Sequence, residues 1–364
     1  MKDLRNLLFS IGRRLPARVP RILLLLSFAA SAQAQSFVLD LPLKSPAAEL
    51  TQRIGLTDID IRYHRPLVNG RKIWGDLVPY GKVWRTGANV NTTLSFSDPV
   101  TIDGHPLDRG TYGFHAIPTP GEWTLIFSKN ATSWGSFTYD QAEDALRVQV
   151  KPEASPMHEE LTFEIDHLHP DSAVVALEWE NLRVPFQVAV DTHAVTQAAL
   201  KRQLRAQIRY IWMSWNDAAS YLLREKIALD DALAYANHSV SIEDRFDNEL
   251  TKSDVLAALN RPADSDAARR RAIDLGSADQ LRDYGVDLLK SDRERASAVF
   301  RENARKHPEA WQAHEGLARM YSAQGKFADA LRETQLALVS APEKERAELQ
   351  EMAAKLRAGA NVNE

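Results

Sequence analysis

Between Tyr80 and Asn89 the chain reads YGKVWRTGAN, which sets two aromatic rings, two cations and an amide among turn-forming glycines. A planar guanidinium beside an aromatic face is a good receiver for a carboxylate, a phosphate or a sugar ring. The stretch has neither the alternation of a strand nor the spacing of a helix. It closes a longer run, Arg65 to Asn91, that also lacks regular patterning. Loops beyond about 12–15 residues are uncommon in compact domains unless they are functional or disordered. Ile73, Trp74, Leu77, Val78, Tyr80, Val83 and Trp84 make this one too apolar to stay solvated, so it must fold against a scaffold. The candidate ligand-binding residues are therefore Arg85, Asn89, Trp84, Tyr80, Trp74, Arg71, Arg65, His64 and, further on, His115. Two readings stand. In one, Arg85 and Asn89 share a small depression framed by Trp84 and by Trp74 or Tyr80, and receive an anionic or sugar ligand. In the other, the aromatics anchor the loop, Arg85 pairs with Asp76, and Asn89 only forms a turn.

Other chemistry is sparse. His64 or His115 could act as a base beside an acid such as Asp76. His167 and His169 have an H-x-H spacing, but they fall where a hairpin should turn and are expected to be exposed rather than metal ligands. The sequence carries no nucleophile elbow, zinc-protease helix, phosphate loop or dinucleotide fingerprint. It has no cysteine, which removes thiol catalysis and thiolate metal sites. Neither a metal nor another cofactor is expected.

The elements that must position these residues come in two kinds. From Phe37 to about Val190 the pattern is that of strands. TDIDIRY puts Ile59, Ile61 and Tyr63 on one face, and EWTLIF and ELTFEI alternate in the same way. Asp98-Pro99, Asp103-Gly104 and Pro120-Gly121 supply turns. About ten short strands imply an antiparallel β-sandwich, jelly-roll-like, over residues 35–190. Near residue 191 the period switches, with Leu200, Leu204, Ile208, Ile211, Trp212 and Trp215 at helical spacing after a cap at Asp191 or Thr192. Residues 191–228 read as linking helices, with Trp212 and Trp215 as anchors. In residues 229–342, Leu317, Ala318, Tyr321, Gly325, Phe327, Ala330, Ala337 and Pro342 fit the tetratricopeptide pattern. Ala296 and Pro308 echo Ala330 and Pro342 one repeat earlier, and residues 343–364 read as a capping helix and tail. The fold class is thus multidomain β + α, a β-sandwich followed by an α-helical tetratricopeptide-like array.

The first 34 residues differ from the rest. Lys2, Arg5, Arg13, Arg14, Arg18 and Arg21 precede the apolar ILLLLSFAA, and small residues follow at Ala32–Ala34. That order is a secretory signal peptide, and its apolar run is far short of the roughly 20 residues that span a bilayer. The whole chain carries a net charge of −4. Removing six cations and Asp3 leaves about −9, a poor match for nucleic-acid phosphates.

YHRPLVNGRKIWGDLVPYGKVWRTGAN, RGTYGFHAIP, EWTLIFSK and WGSFTYD together resemble the bacterial domain-of-unknown-function family 2911, over roughly Phe37 to Val190. The resemblance implies export and, in some members, tetratricopeptide-like helices after the domain, but no reaction. Gly81, Lys82, Trp84, Arg85, Thr86, Gly87 and Asn89 are the residues that carry it. The expected protein is exported, periplasmic or otherwise of the cell envelope, with no membrane span after cleavage. It is expected to be a binding or scaffolding protein that takes a protein or peptide on its helices and a small anionic or sugar ligand on its β part. The alternative is a cell-envelope hydrolase or sugar-modifying enzyme using Arg85, Asn89 and a nearby His.

Overall fold

The computed structural model describes residues 41–364; the signal-peptide expectation lies outside the described residues. Ten strands come first among these, all paired antiparallel. A six-stranded sheet has the order β1 (Ala47–Ile54), β2 (Thr57–His64), β3 (Thr92–Phe96), β6 (Gly110–Ile117), β7 (Trp123–Ser128) and β8 (Asp144–Val150). A four-stranded sheet joins β5 (His105–Leu107), β4 (Val100–Ile102), β10 (Ser172–Ala189) and β9 (Glu153–Asp166). The alternation expected for β2 is seen: Ile59, Ile61 and Tyr63 are buried, while Asp58, Asp60, Arg62 and His64 lie on the other face. Aromatic pairs join the inner faces, with Phe114 of β6 5.7 Å from Phe186 of β10 and Tyr63 of β2 4.9 Å from Phe163 of β9. These contacts make one core between the sheets.

Not all strands are short, as the turn spacing suggested. β9 and β10 run for 14 and 18 residues and pair along most of their length. Bulges around Glu180, whose φ is +56°, let the long ribbon bend instead of stopping. His167 and His169 fall in the connection between them, and His167 is exposed.

The run from Arg65 to Asn91 is tied down at intervals by isolated bridges, Leu67 to Glu160, Trp74 to Val78 and Trp84 to Ala116. Its rings build an aromatic knot. Trp74 packs edge-on against Trp84, Trp123 and Trp179, with ring centres 4.8–5.8 Å away. Trp84 stacks on Trp179.

Helices follow. Asp191 caps α1 (Thr192–Gln203) by accepting from Ala194 N at 2.9 Å, which resolves the choice between Asp191 and Thr192. The helical spacing from Leu200 to Trp215 is divided by a 3-10 turn over Gln207–Tyr210 before α2 (Trp212–Glu225). Trp215 secures this break, its indole N–H donating to the Arg209 carbonyl at 2.8 Å. The remaining helices are α3 (Leu229–Ile242), α4 (Phe246–Ala258), α5 (Pro262–Leu275), α6 (Ala278–Leu289), α7 (Arg293–Lys306), α8 (Trp311–Ala323), α9 (Phe327–Ser340) and α10 (Glu343–Arg357).

Consecutive helices pack as pairs, α2 with α3, α4 with α5, α6 with α7 and α8 with α9, and first helices of successive pairs also touch. Small residues permit this closeness. A Cβ on Gly285 of α6 would stand 2.4 Å from the Phe300 ring of α7, and one on Gly316 of α8 would stand 2.5 Å from it. Gly325, at φ +71°, makes the turn from α8 to α9, and Ala330 is fully buried beyond it. Among the described residues no helix is long and apolar enough to cross a membrane.

Candidate functional site

The nine candidate residues do not form one group. Arg65 is absorbed by β9, donating to the Leu161 carbonyl (3.1 Å) and the Thr162 hydroxyl (2.7 Å) and pairing with Glu160. Arg71 closes its own turn by donating to the Val68 and Leu67 carbonyls. Asn89 takes the left-handed conformation at φ +55°, and its amide donates to the Ser45 carbonyl at 3.1 Å. Trp74 is buried in the aromatic knot and Trp84 is half-buried against it. Tyr80 lines a separate hollow with Trp74, Trp123, Glu122, Lys151 and Glu180.

Arg85, His64 and His115 gather elsewhere, around the outer face of the six-stranded sheet and the β7–β8 connection. Residue 86 fixes Arg85. Thr86 is buried with φ +52°, a costly conformation for a β-branched residue. It is held there because its hydroxyl donates to the Phe114 carbonyl while its own carbonyl accepts from the Thr92 hydroxyl, both at 3.0 Å. The guanidinium carbon of Arg85 then stands 5.9 Å from the centre of the Trp134 ring. Arg85 does not pair with Asp76. Its Nε is buried without an acceptor, and burial alone lowers its pKa, with no neighbouring acid to offset that cost. His64, at the end of β2, is likewise pushed down, by burial and then by the Arg85 charge, and its Nδ1 is buried without a partner.

His115 is almost wholly enclosed. Its Nε2 meets the Asn91 amide at 3.3 Å and its Nδ1 meets the Ser136 hydroxyl at 3.0 Å, with the Tyr139 ring edge-on. Burial drives its pKa down to about 4, against the opposing pull of Asp144. A ring so enclosed and committed holds the β7–β8 connection to the sheet and is poorly placed to take a proton from a ligand. Gly113 allows the same approach, since a Cβ there would lie 2.3 Å from the Asn130 carbonyl oxygen. His64, Asn91, Thr93, Arg62 and Ser133 line a hollow of about 620 Å³ beside this junction. Directly after Ser133 in the chain, Trp134 and Phe137 stack at 6.0 Å and remain 62% and 80% exposed. This corner offers a cation without a counter-ion, a neutral imidazole and exposed ring faces, which suits binding more than proton transfer. Among the described residues no group of three His, Asp or Glu side chains could hold a metal ion. Sequence reading missed Trp134 and Asn91; the exposed pair in WGSF was the available signal for the first.

The helices carry a second candidate surface, on the face made by α6, α8 and α10. Polar contacts recur there at 33-residue separations: Gln280 to Asp247, Gln312 to Asp279 and Arg282 to Glu315. Arg282 also stands over the Trp311 ring at 4.9 Å, and Arg319 ties Glu315 (2.8 Å) to Glu348 (3.1 Å). After α10 the chain turns back onto α8. Val362 N donates to the Ser322 hydroxyl (3.0 Å), and that hydroxyl meets Asn361 Oδ1 (3.1 Å). Asn363 Nδ2 donates to the Arg319 carbonyl at 2.9 Å. The Val362 side chain packs on the cluster of Ala318, Ala330, Leu349 and Leu356. Beside this segment lies a hollow of about 540 Å³ lined by Val286, Leu289, Lys290, Arg293, Arg319 and Ala323.

Comparison with known proteins gives a family for the β part. Residues 45–188 match the family described as a protein of unknown function, DUF2911, a match that spans less than half of the chain. No curated protein matches. Among solved structures, one reported under the functional characterisation of Pseudomonas aeruginosa pilF is similar at 18% identity, covering 40% of this chain and 68% of its own, with a TM-score of 0.28. A thermophilic TPR protein of Thermus thermophilus is similar at 18% identity, covering 44% and 87%, with a TM-score of 0.29. YrrB, described as a TPR protein with an unusual peptide-binding site, is 13% identical, covering 44% and 82%, with a TM-score of 0.27.

Proposed function

We propose that this chain is an exported binding protein that holds a short, turn-forming peptide segment of a partner on its helices and a small ligand beside Arg85. The observation that carries the first part is the chain's own segment Asn361–Asn363, laid across α8 with both backbone and amide contacts. A surface that receives a main-chain N–H and half-buries the valine of this short turn recognises such a segment by the same physics wherever that chain originates. The polar ladder of Asp279–Gln312 and Arg282–Glu315–Arg319 stiffens the face that does this. Export rests on the charge, apolar run and small residues of the first 34 positions.

The test uses a chain ending at Arg357 and a fluorescently labelled peptide spanning Ala358–Glu364. Saturable anisotropy is expected, weakened by Ser322→Ala, with circular dichroism checking that the shortened chain is folded. A folded chain that leaves the peptide free would defeat the reading.

A further inference from the structure

We infer that the corner formed by Arg85, His64, Asn91 and Trp134 takes a sugar acid, a hydroxylated ring that carries one carboxylate. The inference deepens the small-ligand half of the proposed function and rests on it. Three observations converge. First, the Arg85 guanidinium is half-buried, and among the described residues its Nε has no acceptor and no acid stands near enough to compensate its charge. A buried cation without a counter-charge is costly, and a carboxylate is the anion whose two oxygens match a guanidinium edge.

Second, the hollow lined by His64, whose ring feels the Arg85 charge, holds polar groups that the protein leaves half-used. Asn91 is 4% exposed, its amide meets His115 through one end only, and the other end, with His64 Nδ1, is unpartnered. Whichever way the amide is turned, one polar end remains. A hydroxyl, which both donates and accepts, satisfies either. Third, Trp134 lies between the Arg85 guanidinium and the Phe137 ring that stacks on it, and Phe137, 80% exposed, turns an open ring face to solvent beside Arg85. Ring C–H groups of a saccharide pack on such faces while its hydroxyls stay turned to the polar wall. A simple carboxylate would leave the hollow and the ring faces unused, and a neutral sugar would leave Arg85 uncompensated.

Isothermal titration of the full chain with D-glucuronate, D-glucose and acetate separates these demands. Glucuronate is expected to bind at least about tenfold more tightly than glucose or acetate. Arg85→Gln should bring glucuronate down to the level of glucose, and Trp134→Ala should weaken both sugars, each variant keeping the parent melting temperature within a few degrees. Equal binding of glucose and glucuronate, or an Arg85→Gln chain that still prefers glucuronate, would overturn the acid while leaving a sugar site. Acetate binding as tightly as glucuronate would overturn the sugar. Absence of all three would remove the inference and the small-ligand half of the proposed function together, leaving the peptide surface untouched.

Discussion

At Arg85 the chain maintains a half-buried cation with no counter-ion among the described residues, and this is where a single substitution is most informative. Removing a paired buried charge strands its partner, but here nothing would be stranded. Arg85→Gln is therefore expected to change stability by no more than about 1 kcal/mol in thermal or urea unfolding. A loss of several kcal/mol would mean that Arg85 is architectural. His115 behaves oppositely. Its folded pKa, about 4, lies below the ordinary value of 6.5, so between these values the unfolded chain binds the proton and the folded chain does not. The stabilisation is complete above about pH 6.5 and is lost as pH falls toward 4, by on the order of 3 kcal/mol. Urea midpoints across that range should fall with acid, and His115→Gln should flatten the slope.

Of this site the sequence revealed members rather than neighbours. YGKVWRTGAN named Arg85, and the polar groups that open the irregular run named His64, which the structure puts at the end of β2 on its outer face. Trp134 reaches Arg85 only because β7 and β8 return the chain across the sheet, a pairing that no local period encodes. Asn89 looked like a partner for Arg85 because it is close in sequence, but its left-handed backbone sends it to Ser45.

Among the helices, packing is governed by the smallest residues. Phe300 is fully buried, and both Gly285 and Gly316 approach its ring closely. Gly285→Ala should drive a methyl into that ring and cost on the order of 1–3 kcal/mol, read as a lower melting temperature. In a Phe300→Leu background the penalty of Gly285→Ala should shrink, and undiminished additivity would show that the ring is not what limits the space. Ala330→Leu is expected to cost a similar amount, since Ala330 is fully buried where α9 meets its neighbours. The small-residue register from Leu317 to Pro342 was readable because tight helix pairing admits few alternatives there. The Asp–Gln ladder at 33-residue separation was equally present in the sequence, but it emerges only when the helices are aligned by their packed faces.

On the scale of the whole molecule, two proposed binding surfaces follow a proposed export signal. Mass spectrometry of the protein recovered from outside the cytoplasm should find an N-terminus near Ala34, and an intact Met1 would contradict export by cleavage. The central claim is that the seat on α8 accepts a short turn of chain, so that the segment after α10 and a partner peptide share it. Hydrogen exchange of the full chain, read by mass spectrometry with and without excess Ala358–Glu364 peptide, tests that sharing most directly. Without the peptide, the Val362 amide should exchange slowly because it donates to Ser322. With it, exchange in residues 358–364 of the chain should quicken while α8 stays protected. A bound peptide that leaves the chain's own segment as protected as before would place the two in different seats and contradict the account.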